Sequence, residues 1–261
     1  MTDQIIARID GAVAKLIVNN PAKRNAVSLE MWQVIDEALE RYADDPAVRL
    51  LVISGAGEKA FVSGADISKF ESERGDEAAI RLYATVTERV SHRLYGFPKP
   101  TIAKISGVCV GGGLNLAVCC DLRLAAAGSR FAMPAAKLGI GYGYTSLQRL
   151  AHVVGLPNAL ELAFTARLFS AEEALSMSLV QRVVDEGELE DLVDDYADRI
   201  AANAPLSIAT FKAAAVELRK HESERDFARI DAMVAACAAS DDYVEGRRAF
   251  MAKRPPAFKG R

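Results

Sequence analysis

The chain has 261 residues, of which 51% are apolar and 26% charged, with a net charge of −3. That length suits one large domain, or one domain with a smaller appendage, with enough chain to bury a sizeable core. The charge gives no electrostatic case for nucleic acid or an anionic membrane as the main partner. Four cysteines, with Cys119 and Cys120 adjacent, show neither metal-ligand nor disulfide-framework spacing, and His92, His152 and His221 stand far apart. This pattern argues against a metal centre and for a reduced, cytoplasmic protein.

The opening MTDQIIARIDG carries an early acid and no long apolar core, so no secretory signal is expected. Ile5 to Ile9 and Ala12 to Val18 predict two strands around Asp10-Gly11, a strong hairpin signal. The stretch NNPAKRNAVS is a loop by its Asn and Pro content, and Ser28 is suited to cap the helix that follows. Trp32, Ile35, Leu39 and Tyr42 mark one buried face of that helix. Val48 to Ser54 is almost continuously apolar, as a strand buried on both faces requires. GAGEKAFVSGADI reads as a loop, and Ile80, Tyr83, Val90 and Leu94 mark a second helix between Asp76 and Tyr95.

A short β-like run, Thr101 to Ile105, then leads into Gly111-Gly112-Gly113 and a compact apolar segment. Glycines opening a helix leave backbone N–H groups free where negative charge is favourable and let a ligand approach the backbone closely. Taken alone, the triplet is equally a tight turn with close packing. The apolar run from Val108 to Cys120 is too short to span a bilayer and contains Asn115. Leu122 to Ala126 and Phe131 to Met133 are strand candidates. Helices are expected at Thr145 to Val154, Pro157 to Thr165 and Ala171 to Ser176, with a strand-like Leu179 to Val184 and only helices from Glu188 onward. The fold class is α/β, with a core over residues 1–202 and a helical C-terminal part over 203–261.

Three stretches invite a joint reading: AFVSGADI (Ala60 to Ile67), GVCVGGGLNLAVCCD (Gly107 to Asp121) and FAMPAAKLGIGYGYTSLQRL (Phe131 to Leu150). In this order and spacing, with the early NPAKRNAVS and the terminal DDYVEGRRAFMAKRPPAFKG, they resemble the enoyl-CoA hydratase/isomerase family, the crotonase superfamily, nearly end to end. The resemblance implies a ββα spiral core and a helical C-terminal region that forms a homotrimer or a dimer of trimers. It implies an acyl-CoA substrate with no cofactor beyond the coenzyme A that the substrate carries, and no metal, nucleic acid or membrane partner. Carried over by position, the backbone N–H groups of Ala65 and Gly112 would hold the thioester oxygen. Lys23, Arg24, Ala26, Ser63, Ala65, Asp66 and Ile67 would line the coenzyme A path, and Phe250 and Lys253 would reach the coenzyme A of a neighbouring subunit. As plain surface chemistry, Lys23, Arg24 and Lys253 are solvated charges, and Asp66 and Asp121 cap or brace turns.

The sequence departs from the hydratase pattern where it matters most. The family's two glutamates fall at Asn115 and Ala135, and the dienoyl-CoA isomerase aspartate falls at Gly143. Hydration needs a base for water and an acid for Cα, whereas decarboxylation takes its electrons from the departing carboxylate. LGIGYGYTSL resembles a segment of methylmalonyl-CoA decarboxylases, with Tyr142 at a pocket tyrosine, although bacterial members can carry His where Ala65 stands. The expectation is a malonyl-type decarboxylase. In it Ala65 and Gly112 hold the enolate, Tyr142 orients the carboxylate or aids reprotonation, and Asn115 bonds the acyl group or a backbone carbonyl. Two alternatives stay open: a hydratase or isomerase with displaced acid–base groups, and a catalytically silent acyl-CoA-binding oligomer. Pocket size would follow from how Val62, Phe70, Tyr83, Tyr142 and Tyr144 pack.

Overall fold

The computed structural model describes residues 3–70, 73 and 75–261, so the first two residues of the amino-terminal stretch lie outside it. The hairpin forms as expected. Strand β1 (Ile5–Asp10) pairs antiparallel with β2 (Val13–Val18), and Asp10 opposite Val13 leaves a two-residue loop in which Gly11 takes φ +58°. Helix α1 (Leu29–Asp44) starts at Ser28, whose hydroxyl accepts from Met31 N–H at 3.3 Å, and its face of Trp32, Ile35, Leu39 and Tyr42 is buried.

From there the chain alternates between two sheets. Strand β3 (Leu50–Gly55) joins the first sheet and β4 (Ala60–Val62) the second, before helix α2 (Glu77–Tyr95). The next turn repeats this with β5 (Thr101–Ile105), β6 (Val108–Val110) and helix α3 (Gly112–Cys119). A third adds β7 (Leu122–Ala126) and β8 (Arg130–Ala132). Each turn of the spiral thus contributes one strand to each sheet, parallel to its predecessor. Helices α4 (Tyr144–Val154), α5 (Leu156–Thr165) and α6 (Ala171–Ser176) follow, with β9 (Phe169–Ser170) closing the second sheet antiparallel and β10 (Arg182–Val184) closing the first. Helices α7 (Leu189–Ala202), α8 (Pro205–Leu218), α9 (Phe227–Ala238) and α10 (Asp241–Met251) complete the chain. None of the helices among the described residues is long and apolar enough to cross a membrane.

The continuous apolar strands are explained by burial on both faces. Leu50, Val52, Ile102 and Leu124 pack against Leu189, Val193 and Ala197 of α7, while Leu51, Ile53, Ala103 and Ala125 point into the main core with α1, α2 and α3. Three local expectations need correction. The loop GAGEKAFVSGADI contains β4, a strand too short to show alternation. The strand that delivers the glycine run is β6 of the second sheet, since β5 belongs to the first. Ile80 is half exposed, and the buried face of α2 runs through Tyr83, Val86, Val90 and Leu94.

Candidate active site

Strands β4 and β6 are parallel neighbours, so their carboxyl ends lie side by side, and each runs straight into a glycine-containing turn. This brings Ser63-Gly64-Ala65 against Gly111-Gly112-Gly113. A Cβ built on Gly64 (φ +109°) would stand 3.4 Å from the Val110 carbonyl oxygen and 3.9 Å from Gly112 N.

The backbone chemistry at both turns leaves a donor unused. Val27 forms a parallel bridge with Ala65, in which Val27 N–H donates to Gly64 C=O at 2.9 Å and Asp66 N–H to Val27 C=O at 3.0 Å. Because strand amides alternate in direction, the Ala65 N–H faces the opposite edge. Gly112 is the first residue of α3, so its N–H has no intrahelical acceptor. Among the described residues neither N–H donates to a backbone acceptor outside regular structure, whereas the flanking Gly111 N–H is held by Ala132 C=O at 3.0 Å.

These two turns form one side of a cavity of about 250 Å³. The rest of its wall is Ile67, Phe70, Val110, Met133, Pro134, Ala135, Leu138, Ile140 and Tyr142. Among the described residues no Asp, Glu, His, Lys or Arg is in that wall, and the one titratable side chain there is Tyr142. Among the described residues its buried hydroxyl has no well-aligned hydrogen-bond partner, and burial outweighs the nearby Ser146 side chain and pushes its pKa well up, so the phenol stays protonated through the neutral range. A larger hollow of about 610 Å³ lies among the C-terminal helices with Phe250 in its wall, but neither glycine turn reaches it.

The other expected residues fall into three groups. Beside the cavity, Lys23 Nζ donates to Asp66 Oδ2 at 2.8 Å and to Ser68 Oγ at 2.7 Å. Asp66 also caps the 3₁₀ turn Ile67–Lys69, and its pKa is lowered despite desolvation because the Lys23 and Ser68 bonds outweigh burial. Arg24 is exposed in a left-handed conformation (φ 51°), and Ala26 is buried. That bend is anchored by Asn25, whose side-chain amide donates to Ala56 and Ala60 carbonyls. Phe250 and Lys253 lie on and just after α10, both exposed, and a single chain does not bring them to the cavity.

Asn115 differs from expectation. It is absent from the cavity wall and bonds neither an open pocket nor a backbone carbonyl through its side chain. Its Nδ2 donates to Ser91 Oγ at 2.8 Å, and Ser91 in turn donates to Thr87 C=O at 2.8 Å. With the Ser91 proton committed, Ser91 must accept, which orients the amide and leaves Asn115 Oδ1 buried without a partner. Val62 and Tyr83 also lie behind the wall in the core, with Tyr83 accepting from Trp32 Nε1 at 3.0 Å, and Tyr144 is 79% exposed. Sequence reasoning did not single out Met133, Leu138 or Ile140. Their only signal was membership of the FAMPAAKLGIGY stretch, because an irregular segment has no periodicity to reveal its inner face. The thiols of Cys109, Cys119 and Cys120 are buried in the core, and burial pushes Cys119 up to about 12, so none is a nucleophile at neutral pH.

Comparison with known proteins agrees with this geometry. The profile described as enoyl-CoA hydratase/isomerase matches residues 8–261. The crotonyl-CoA hydratase of Syntrophomonas wolfei is 36% identical over 98% of both chains, and the short-chain-enoyl-CoA hydratase of Clostridium acetobutylicum is 33% identical over 99% of both. The crystal structure of an enoyl-CoA hydratase/carnithine racemase from Magnetospirillum magneticum superposes with a TM-score of 0.95 at 36% identity, covering 100% of this chain and 97% of that one. With a family match over nearly the whole chain and a ββα spiral of the same shape, this protein belongs to the enoyl-CoA hydratase/isomerase family.

Proposed function

We propose that the protein binds an acyl-CoA thioester with its carbonyl oxygen on the N–H groups of Ala65 and Gly112, and that it decarboxylates a malonyl-type substrate. The observation that carries this reading is the cavity wall, which among the described residues has two backbone donors and no acid–base side chain other than a protonated phenol. As the C–CO2 bond breaks, its electron pair moves into Cα and the carbonyl, and the thioester oxygen becomes an enolate oxygen. Donors already fixed by the backbone stabilise that charge without reorganising. CO2 leaves, and Cα takes a proton to give the shorter acyl-CoA. An apolar wall leaves the substrate carboxylate poorly solvated, which favours its loss. Tyr142 donates a hydrogen bond that orients the carboxylate or supplies the proton, a role supported by its buried hydroxyl, which has no well-aligned partner among the described residues. Asn115, held by Ser91 behind the wall, orients the start of α3 from which Gly112 donates. Coenzyme A lies along Lys23, Arg24, Ser63 and Asp66.

A second reading, hydration or isomerisation of an enoyl-CoA, has its hydration half favoured by the two hydratase relatives. Incubation with methylmalonyl-CoA, ethylmalonyl-CoA and crotonyl-CoA separates the two. The expected outcome is CO2 release from an alkylmalonyl-CoA with no loss of the crotonyl absorbance, while efficient hydration of crotonyl-CoA would overturn decarboxylation. Binding across the panel without turnover would mark a silent acyl-CoA-binding protein. For Tyr142→Phe, turnover falls by about 10²-fold if the hydroxyl works on the proton, and unchanged turnover removes it from the chemistry. Because its pKa is raised, the wild-type pH profile shows no ionisation of Tyr142 through the neutral range.

A further inference from the structure

The candidate cavity opens beside three exposed aliphatic side chains. Ile67 is 74% exposed, Leu138 60% and Ile140 40%, and all three line the cavity from two separate irregular segments. Deeper in, the wall is better covered, with Met133 buried and Phe70, Val110 and Gly112 partly buried. Exposed aliphatic side chains converging on one opening are costly in water unless something apolar covers them.

The two edges of this opening differ in chemistry. On one side stand Ser63, Lys23 and the Asp66–Ser68 turn, rich in groups that hydrogen-bond. On the other, Leu138 and Ile140 offer no polar side-chain atom. The pantetheine arm of coenzyme A carries amides that need hydrogen-bond partners, so it suits the first edge. A hydrocarbon chain suits the second.

Size points the same way. A cavity of about 250 Å³ lies below the roughly 300–1,000 Å³ usual for ligand pockets. The thioester and the reacting carbons take part of that room, so a substituent beyond a few carbons has to leave through the mouth. We infer that the substrate's acyl group carries a hydrocarbon substituent of medium length that runs out over Leu138 and Ile140, making these two the specificity-determining residues. This rests on the cavity being the acyl site of the proposed function.

Binding of saturated straight-chain acyl-CoAs, from acetyl to decanoyl, tests it by titration calorimetry without any turnover. Each methylene that settles on the aliphatic edge strengthens binding by about two- to fourfold, so Kd falls stepwise from butanoyl through octanoyl. In the double variant Leu138→Ser/Ile140→Ser, both at exposed positions, that slope flattens. Tight binding that is independent of chain length overturns the inference and leaves the acyl-CoA site standing. A slope that persists in the double variant overturns the assignment to these residues. Failure of acetyl-CoA and of every longer acyl-CoA to bind overturns the site itself.

Discussion

Replacing Gly112 by proline is expected to lower kcat by about 10²- to 10³-fold while leaving the fold in place, because it removes one donor to the developing oxyanion. Proline is tolerated at the first position of a helix, where its missing N–H has no intrahelical acceptor, and Gly112 occupies that position in α3. Gly112→Ala is the control. A Cβ there meets the nearest side-chain atom, Trp32 Cζ2, at 3.6 Å, an ordinary contact, and the N–H survives. Activity near wild type in the alanine variant with loss in the proline variant assigns the effect to the N–H, and equal activity in both removes Gly112 from the chemistry. The neighbouring glycine behaves differently. A Cβ on Gly113 would sit 2.1 Å from the Val62 carbonyl oxygen, so Gly113→Ala loses stability, by about 1–3 kcal/mol or more, whatever the substrate. Gly111, at φ +56° just before the helix, serves the turn. Three consecutive glycines thus answer to three demands, and thermal melts beside kinetics separate them.

The second large effect lies at Asp121, where the helical C-terminal segment meets the spiral. Its carboxylate accepts from Thr101 N–H at 2.9 Å and from the Thr101 hydroxyl at 3.0 Å, and it pairs with Lys212 of α8. Lys212 is 7% exposed, and desolvation lowers its pKa even with the Asp121 charge beside it. Asp121→Ala strands that ammonium in the interior and is expected to cost about 3 kcal/mol, the lower end for breaking a buried pair because Asp121 is itself partly exposed. Lys212→Met removes the buried charge and leaves Asp121 with Thr101 and the nearby Arg219, so its loss is expected to be much smaller. Urea unfolding of both variants checks the asymmetry, and equal losses would show that the pair does not act through an uncompensated charge.

The helices α1, α2 and α4 to α6, the hairpin and the buried strands were legible because amphipathic period, capping residues and unbroken apolar runs are properties of neighbouring residues. Ser28 caps α1, and VRLLVIS is buried on both faces, as read. Of the strands of three residues or fewer, β8 and β10 fall in stretches read as strand-like, whereas β4, β6 and β9 are shorter than the pattern that would announce them. The exposure of Ile80 depends on where α1 crosses α2, which local periodicity does not encode.

For the site, the chain alone determined that a glycine run opens a short apolar helix, and the family resemblance put two carboxylate positions at Asn115 and Ala135, with Tyr142 after them. Whether those features meet was decided by parallel pairing of β4 with β6, which sets two strand ends from distant parts of the sequence beside each other and turns Ala65 and Gly112 toward one cavity. The same packing turned Asn115 away toward Ser91 and put Leu138 and Ile140 at the mouth. Residue identity specifies which groups exist. Which of them share a solvent-poor space follows from long-range strand pairing and helix packing, whose partners lie tens of residues away.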